Sequence, residues 1–386
     1  MKLKAFKYRI YPTLEQKVLI HQHFGSARWI YNYALNKKMV AYQTEKKLLS
    51  RFDIQAEIPL LKKDEKTEWL KNVNSQTLQA SLEHLDKAYS KFFKEKKGFP
   101  NFKSKHDNRQ SFSVPQNGKV DFEASRLNLP KFKTDIKIVL HRKFEGKIKT
   151  ITISKTPTDK YFASVLVEMN EIIPTKTPID ENKAVGIDLG IKTFAVLSDG
   201  LSIENPRNLK RSLKRLKQCQ RAMSRKKKGS SNRNKARLRL ASIHEKVTNQ
   251  RTDFLHKTSN MIVQNYGTIC LETLTASNMM KNHKLAQSLS DIAIGKFNTQ
   301  LEYKAKWHGK NILRIGRFEP SSRLCTCGII NKELKLSDRV WTCKSCNITH
   351  DRDVLASNNI KRMAFHSQNK IRVERSESTL GSYESH

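Results

Sequence analysis

The chain is short of acid, and it contains no long apolar run. Asp and Glu number 36 against 74 Lys and Arg in 386 residues, a formal net charge of +38. From Arg207 to Arg239 there is no acidic residue at all. No segment approaches the ~18 apolar residues needed to span a bilayer. The start, Met1-Lys-Leu-Lys-Ala-Phe-Lys7, has no uninterrupted apolar h-region either. The expectation is a protein with no membrane partner, working in the cytoplasm. Cysteine is scarce too. Four of the six fall in one C-terminal stretch, which argues against the distributed disulfides of a secreted scaffold and favours a metal. Cys219 and Cys270 stand alone and read as structural.

What is abundant is positive charge. An excess this large repels itself in a compact chain unless a polyanion neutralises it. Nucleic acid is the natural partner, through phosphate contacts and counterion release. The acid-free stretch concentrates that expectation. Leu209, Leu213 and Leu216 are spaced for a helix, Lys226-Lys-Lys-Gly-Ser-Ser-Asn232 breaks it, and a second helix is expected from about Asn234 to Gln264. A solvated helix face normally mixes signs. The candidate phosphate contacts here are Lys210, Arg211, Lys214, Arg215, Arg225, Lys226, Lys227, Lys228, Arg237 and Arg239.

Before this, Phe6, Tyr8 and Ile10 alternate with Lys7 and Arg9, which predicts a strand over 2–11 ended by Pro12. Thr13 with Gln16 has the form of a capping box, and a helical region follows. Leu78, Leu82, Leu85, Tyr89 and Phe92 line one face of a helix starting at Ser75. Rings and cations interleave from Lys91 to Lys103, a pattern suited to phosphate contact and base stacking as well as to an ordinary helix end. Residues 110–170 change to a period of two, with turns expected at Asn117-Gly118 and Glu145-Gly146. These alternations predict a small antiparallel barrel or sandwich, completed by the N-terminal strand and interrupted by the helical insertion. The run Glu171-Ile-Ile-Pro-Thr-Lys-Thr-Pro178 reads as the linker to the next domain.

The next domain opens on Val185-Gly-Ile-Asp-Leu-Gly190, an apolar strand carrying one acid, Asp188. A carboxylate there is costly to desolvate unless a divalent cation or a set of hydrogen bonds compensates it. Two further acids favour the cation: Glu272, at the end of the strand Gly267-Thr-Ile-Cys-Leu271, and Asp353 in His350-Asp-Arg-Asp-Val354. An acid at a helix start is also commonly just a cap. Three carboxylates from separate elements of one mixed sheet can hold two divalent metals about 3.5–4 Å apart, the RNase H-like plan for cutting a phosphodiester, and Mg²⁺ suits such oxygen ligands. A helix is expected over 283–308 and a strand over Asn311–Ile315. Between these acids, Cys325-Thr-Cys327 and Cys343-Lys-Ser-Cys346 offer four thiolates for Zn²⁺ in a ribbon, although the first pair has only one intervening residue.

The order Gly186-Ile-Asp-Leu-Gly190, Leu271-Glu-Thr-Leu274, the cysteine pairs and Asp351-Arg-Asp353 resembles the TnpB (OrfB) proteins of insertion sequences, relatives of the type V CRISPR effector nucleases. Phe6-Lys-Tyr-Arg-Ile-Tyr-Pro12, Leu85-Asp-Lys-Ala-Tyr-Ser-Lys-Phe-Phe93 with Gly98-Phe-Pro100, and Asn249-Gln-Arg-Thr-Asp-Phe-Leu-His256 extend the likeness over nearly the whole chain. The resemblance implies an RNA-guided, Mg²⁺-dependent DNA endonuclease, with a guide RNA from the transposon end and a double-stranded DNA target beside a short flanking motif. It implies Asp188, Glu272 and Asp353 as catalytic metal ligands, Asp353 rather than Asp351 being the third. It implies an α+β multidomain fold: a wedge-like β-barrel (1–12 and 106–175), a helical recognition insertion (13–105), and a RuvC-like core (181–320) with a basic helical hairpin (206–264). A zinc ribbon (321–348), a last RuvC segment (349–364) and a disordered tail (365–386) complete it. The workplace would be the bacterial or archaeal nucleoid. The sequence departs from the family pattern at Leu355, where an asparagine is usual, at Thr273, where an aspartate is usual, and in the short first cysteine pair. Two other classes stay open: a cutting-deficient relative acting as a guided repressor, and a transposase acting directly on DNA.

Overall fold

The computed structural model describes residues 1–107, 110–274, 276–335 and 337–380, without the side chains of 276, 277, 284 and 369–380. The chain forms two compact units, Met1–Ile172 and Ile173–His386, and the boundary falls inside the Pro-containing linker.

In the first unit, β1 (Lys2–Tyr11) leads into α1 (Leu14–Glu45). The turn between them is a capping box: the Gln16 N–H donates to Thr13 Oγ1 and the Thr13 N–H donates to Gln16 Oε1. Two short helices follow, α2 (Arg51–Ala56) and α3 (Ile58–Lys63), then a 3₁₀ turn at Glu68–Asn72 and α4 (Ser75–Glu95). The chain then returns to strands: β2 (Gln110–Val114), β3 (Lys119–Asp121), β4 (Arg126–Asn128), β5 (Ile136–Val139), β6 (Lys147–Lys155) and β7 (Tyr161–Met169). These join β1 in one antiparallel sheet of order β2-β6-β7-β1-β5-β4-β3. The N-terminal strand therefore lies between strands more than a hundred residues away, from Lys2↔Met169 to Ile10↔Tyr161 on one side and Arg9↔Val139 on the other.

Helix α1 serves two cores, which is why its apolar residues form no single stripe. Ile20, Phe24 and Ala27 pack into the sheet with Phe6, Tyr8 and Ile10. One turn on, Ile30, Tyr31, Ala34 and Leu35 join Leu78, Leu82 and Leu85 of α4 in a helical core. The apolar stripe expected on α4 is buried as far as Leu85, while Tyr89 packs at its margin.

The second unit carries β8 (Ala184–Leu189), β9 (Thr193–Leu197) and β10 (Ser202–Glu204), then the hairpin of α5 (Asn208–Ser224) and α6 (Ser231–Asn265). Ser230 sets the start of α6, a little before the expected Asn234, because its side chain accepts the Arg233 N–H. After β11 (Thr268–Glu272) come α7 (Ala276–Met279), α8 (His283–Ile292), α9 (Ile294–Trp307) and β12 (Asn311–Ile315). The single helix expected over 283–308 is thus two, broken at Ala293, whose φ of 54° is left-handed. The five-stranded sheet has the order β10-β9-β8-β11-β12. Strands β8, β11 and β12 run parallel, and β9 and β10 are antiparallel additions.

Both faces of this sheet are covered. Val185, Ile187 and Phe194 pack with Leu255, Ile262 and Phe297 from α6 and α9. On the other face Cys270, Leu313 and Ile315 meet Ile360 and Ala364 of the last helix, α10 (Arg352–Leu380). Before α10 lies a small lobe with a two-stranded pair, β13 (Val340–Thr342) and β14 (Thr349–Asp351), whose second strand lies past the boundary at 348 expected for a ribbon. The backbone of α10 runs to Leu380, through the first part of the tail expected to be disordered from 365. No proline or glycine interrupts residues 352–380. Residues 381–386 of that tail lie outside the described residues. Among the described residues no helix is long and apolar enough to cross a membrane.

Candidate functional site

Helix α10 sits directly on the backbone of β8. A Cβ at Gly186 would collide with the Ser357 carbonyl oxygen and lie 2.8 Å from the Lys361 nitrogen. Only glycine allows this approach. The contact sets a register. Residues two apart share a strand face, and residues four apart share a helix face. Asp188 therefore lies on the face of β8 turned to α10, and Asp353 lies one turn before Ser357 on the face of α10 turned to β8. Strand β11 pairs Cys270 with Gly186 and Leu271 with Ile187, so Glu272 comes level with Asp188 at the same end of the sheet. Three acids spread over 165 positions of sequence (188 to 353) are gathered at one place.

Their electrostatics agree. The Asp188 carboxyl is pushed up to about 7, first by burial and then by the charges of Glu272 and Asp353, with Arg352 and Arg339 acting against these. Each of the other two acids has a protein partner. Asp353 receives a two-pronged contact from Arg339, at 3.0 and 2.8 Å. Glu272 accepts the hydroxyl of Ser321. A partly buried carboxylate crowded by two others is the donor chemistry that a divalent cation relieves, and all three offer hard oxygen ligands. The three side chains do not close to the 4.8 Å that unites the cysteines described below.

The structure also separates the two aspartates at the helix start. Asp351 Oδ1 accepts the N–H groups of Asp353 (3.0 Å) and Val354 (2.9 Å), an N-cap. Asp353 is left to project toward β8. Thr273, at the end of β11, donates its hydroxyl to the Ile315 carbonyl at 2.7 Å and ties two strand ends together. Leu355 is buried with Cys325, Trp341 and Cys343 in the core of the small lobe.

Cys325, Cys327, Cys343 and Cys346 bring their sulfurs within 4.8 Å of one another, and none is in a disulfide. Each pair lies on a similar turn: the Cys325 N–H donates to Ile329 O at 2.9 Å, and the Cys343 N–H to Ile348 O at 3.0 Å. The short first pair is accommodated because Gly328, with φ of 92°, carries the chain round immediately after Cys327. Burial acts to raise the Cys325 thiol, but hydrogen bonding by the Cys327 backbone and the His350 ring outweighs it and holds it down at about 5. His350 Nε2 is 3.1 Å from Cys325 Sγ, and its ring lies 5.2 Å from that of Trp341. Four convergent soft donors fit Zn²⁺. Cys270, by contrast, is buried under α10 with its thiol pushed up to about 12 by desolvation, in keeping with a structural role.

On the basic hairpin, Lys210, Arg211, Lys214, Arg215, Arg225, Lys226, Lys227, Lys228 and Arg239 are exposed. Arg237 is half-buried and donates to Asn234 Oδ1. Arg233, not among the candidates, tethers the connecting loop through the carbonyls of Met223 and Lys226, each at 3.0 Å. In the first unit the ring-and-cation run sets Phe92 edge-on to Phe93 and Phe99, with Phe99 edge-on and Phe93 stacked against Tyr89, and Phe93 and Phe99 are exposed. Sequence reasoning missed Arg339, Ser321 and His350. His350 had one signal, its place between the last cysteine and the acids. Arg339 and Ser321 had none, because their partners are distant in sequence.

Comparison with known proteins places the chain among relatives. The family OrfB_IS605, described as "Probable transposase", matches residues 164–283, and a Cas12f1-like TNB domain matches 295–360. A domain described as helix-turn-helix matches 1–47, where the structure has β1 and the single continuous helix α1. The chain is 39% identical to a protein of Streptomyces pristinaespiralis over 92% of this chain and 88% of the relative. It is 31% identical to InsQ of Escherichia coli (strain K12) over 93% and 92%. Both relatives carry the name "Putative RNA-guided DNA endonuclease". A solved Cas12f1–sgRNA–target DNA complex is similar with a TM-score of 0.49 and 14% identity, over 93% of this chain and 98% of that one.

Two outcomes follow for the site. Between 3.8 and about 7 the folded state holds a proton on Asp188 that the unfolded chain releases, so in EDTA this group makes stability fall as pH rises through that window. Asp188→Asn is expected to melt with the wild type at the acid end and at a higher temperature above pH about 7; coincident melting at both ends would contradict the crowding of Asp188. Metal analysis of the folded protein is expected to find about one zinc per chain, lost in Cys343→Ser.

Proposed function

The chain belongs to the OrfB family of IS605-type transposon proteins, and on that premise we propose that it is an RNA-guided DNA endonuclease holding divalent cations on Asp188, Glu272 and Asp353. The observation that carries the reading is the gathering of these acids on one sheet face, with Asp188 raised by the other two. The mixed strand order, β8 flanked by antiparallel β9 and parallel β11, supports the reading of this unit as an RNase H-like, RuvC-type core. A pair of Mg²⁺ ions held there would supply an activated water on one side of a phosphodiester and charge stabilisation for the leaving oxygen on the other.

The chain's own residues prepare that chemistry. Asp188 is fixed by β8, and its height on the strand is set by the Gly186 contact with α10. Ser321 orients Glu272. Arg339 balances the charge of Asp353, the carboxylate that would be one of the cation's ligands. The exposed cations of the α5–α6 hairpin take phosphates of guide or target, and such contacts position the strand without reading its sequence. Sequence is then read by pairing with the guide. The cysteine lobe, as a zinc ribbon, carries both Arg339 and the His350 that leads into Asp351 and Asp353. The intact acid set, with Leu355 and Thr273 both doing structural work, favours this reading over a cutting-deficient guided repressor.

The test is cleavage of a plasmid library by protein co-expressed with its own transposon-end RNA. The library carries the guide's target beside randomised flanking bases. Cutting is expected to depend on the guide, the flank, Mg²⁺ and Asp188, and Asp188→Ala is expected to abolish it with RNA retention little changed. Guide-dependent retention of the target without cutting would move the assignment to a guided DNA-binding protein. Equal loss of cutting and RNA binding in Asp188→Ala would remove its catalytic role.

A further inference from the structure

The first unit contains an open pocket of about 440 Å³ whose walls come from α1, α4, β2 and the turn before β2. Three basic side chains line it: Arg28, His84 and Lys103. None of the three side chains makes a hydrogen bond or an ion pair among the described residues. The single acid on the wall, Asp107, is turned to the backbone: its Oδ2 accepts the Ser104 N–H at 2.9 Å. Elsewhere in this unit, cations beside acids form pairs, as in Lys38–Asp86, Lys37–Glu57 and Lys149–Glu168. The pocket gathers positive charge, and the one acid on its wall acts on Lys103 without closing an ion pair with it.

Lys103 is also held in place. Its backbone N–H donates to Asn32 Oδ1 at 2.8 Å, and its carbonyl accepts from Asn32 Nδ2 at 2.9 Å. Its ammonium lies 3.9 Å from the centre of the Tyr31 ring. A lysine clamped at the main chain and seated on an aromatic face has lost part of the freedom that a surface lysine keeps, so its later binding costs less order. Desolvation pushes the Lys103 and His84 pKa values down, at His84 with help from the charges of Lys103 and Lys87, while Asp107 and Glu83 act the other way.

We propose that this pocket is a binding site for a phosphate group of a nucleic acid strand, gripped by Arg28 and Lys103 with His84 beside them. A phosphodiester oxygen pair suits the planar guanidinium and the point charge of the ammonium. The hydroxyls of Ser104 and Ser111, also on the wall, offer neutral donors to the remaining oxygens. Phe24 and Phe112 close the floor. The volume falls within the range of about 300–1,000 Å³ typical of ligand pockets, enough for a phosphate with its sugar. The inference rests on the reading that the protein carries nucleic acid. It does not depend on cutting.

The test measures binding of purified, RNA-free protein to a short RNA and, separately, to a short DNA duplex, each of mixed sequence, over a range of salt. The double variant Arg28→Gln with Lys103→Gln is expected to reduce the slope of log affinity against log salt by about one in at least one arm. The arm that responds names the strand. Asn32→Ala keeps every charge but releases Lys103, and it is expected to weaken the same arm. Melting temperatures establish that the variants fold. If wild type binds and the double variant keeps its slope in both arms, or if Asn32→Ala binds as wild type, the pocket is not a phosphate site. If wild type binds neither strand, this proposal falls together with the nucleic-acid reading itself.

Discussion

One steric constraint organises the second unit: α10 packs against β8 so closely that no side chain fits at Gly186. Most of what makes a site follows from it. The contact slides the helix to the height at which Asp353 stands opposite Asp188, and the parallel register of β8 with β11 brings Glu272 level with both. The cost is concentrated charge. The protein partly relieves it with Arg339 and Ser321, and Asp188 carries the rest as a carboxyl that resists ionisation. On the proposed reading, a divalent cation would relieve that crowding.

The cysteine lobe belongs to the same construction. It contributes Arg339 to Asp353, and Leu355 from the first turns of α10 is buried in its core. Its strand β14 ends in Asp351, which caps α10. Asn359 donates to the carbonyls of Ser321 (2.8 Å) and Leu324 (2.6 Å), tying the lobe's first residues back to the helix. The lobe and the acid site therefore share elements, and a metal held by four sulfurs would stiffen the start of the helix that presents Asp353.

Much of this was legible in the sequence, for identifiable reasons. Asp188 and Glu272 stand out because an acid in an apolar strand is rare. The Thr13–Gln16 box and the α4 stripe are local patterns, set by residues three or four apart. The single-sign stretch after Arg207 needed only composition. What stayed hidden depends on long-range contact. Arg339 looks like any arginine until the chain folds it onto Asp353. His350 and Ser321 gain meaning from Cys325 and Glu272, 25 and 49 positions away. The break at Ala293 has only Gly295 to announce it, and that glycine falls inside α9 rather than at the break. The pocket of Arg28, His84 and Lys103 is assembled from three elements whose sequences show only scattered cations.

The most direct test of the account is guided plasmid cutting by Gly186→Ala, with guide-RNA retention and zinc content measured on the same preparation. The added methyl must displace α10 from β8 and Asp353 from Asp188. Cutting is expected to fall by about a hundredfold or more, as misplacement of a reacting group by an ångström does, while the protein keeps its RNA and its zinc. Cutting at the wild-type rate would show that the close approach of α10 to β8 does not build the active site.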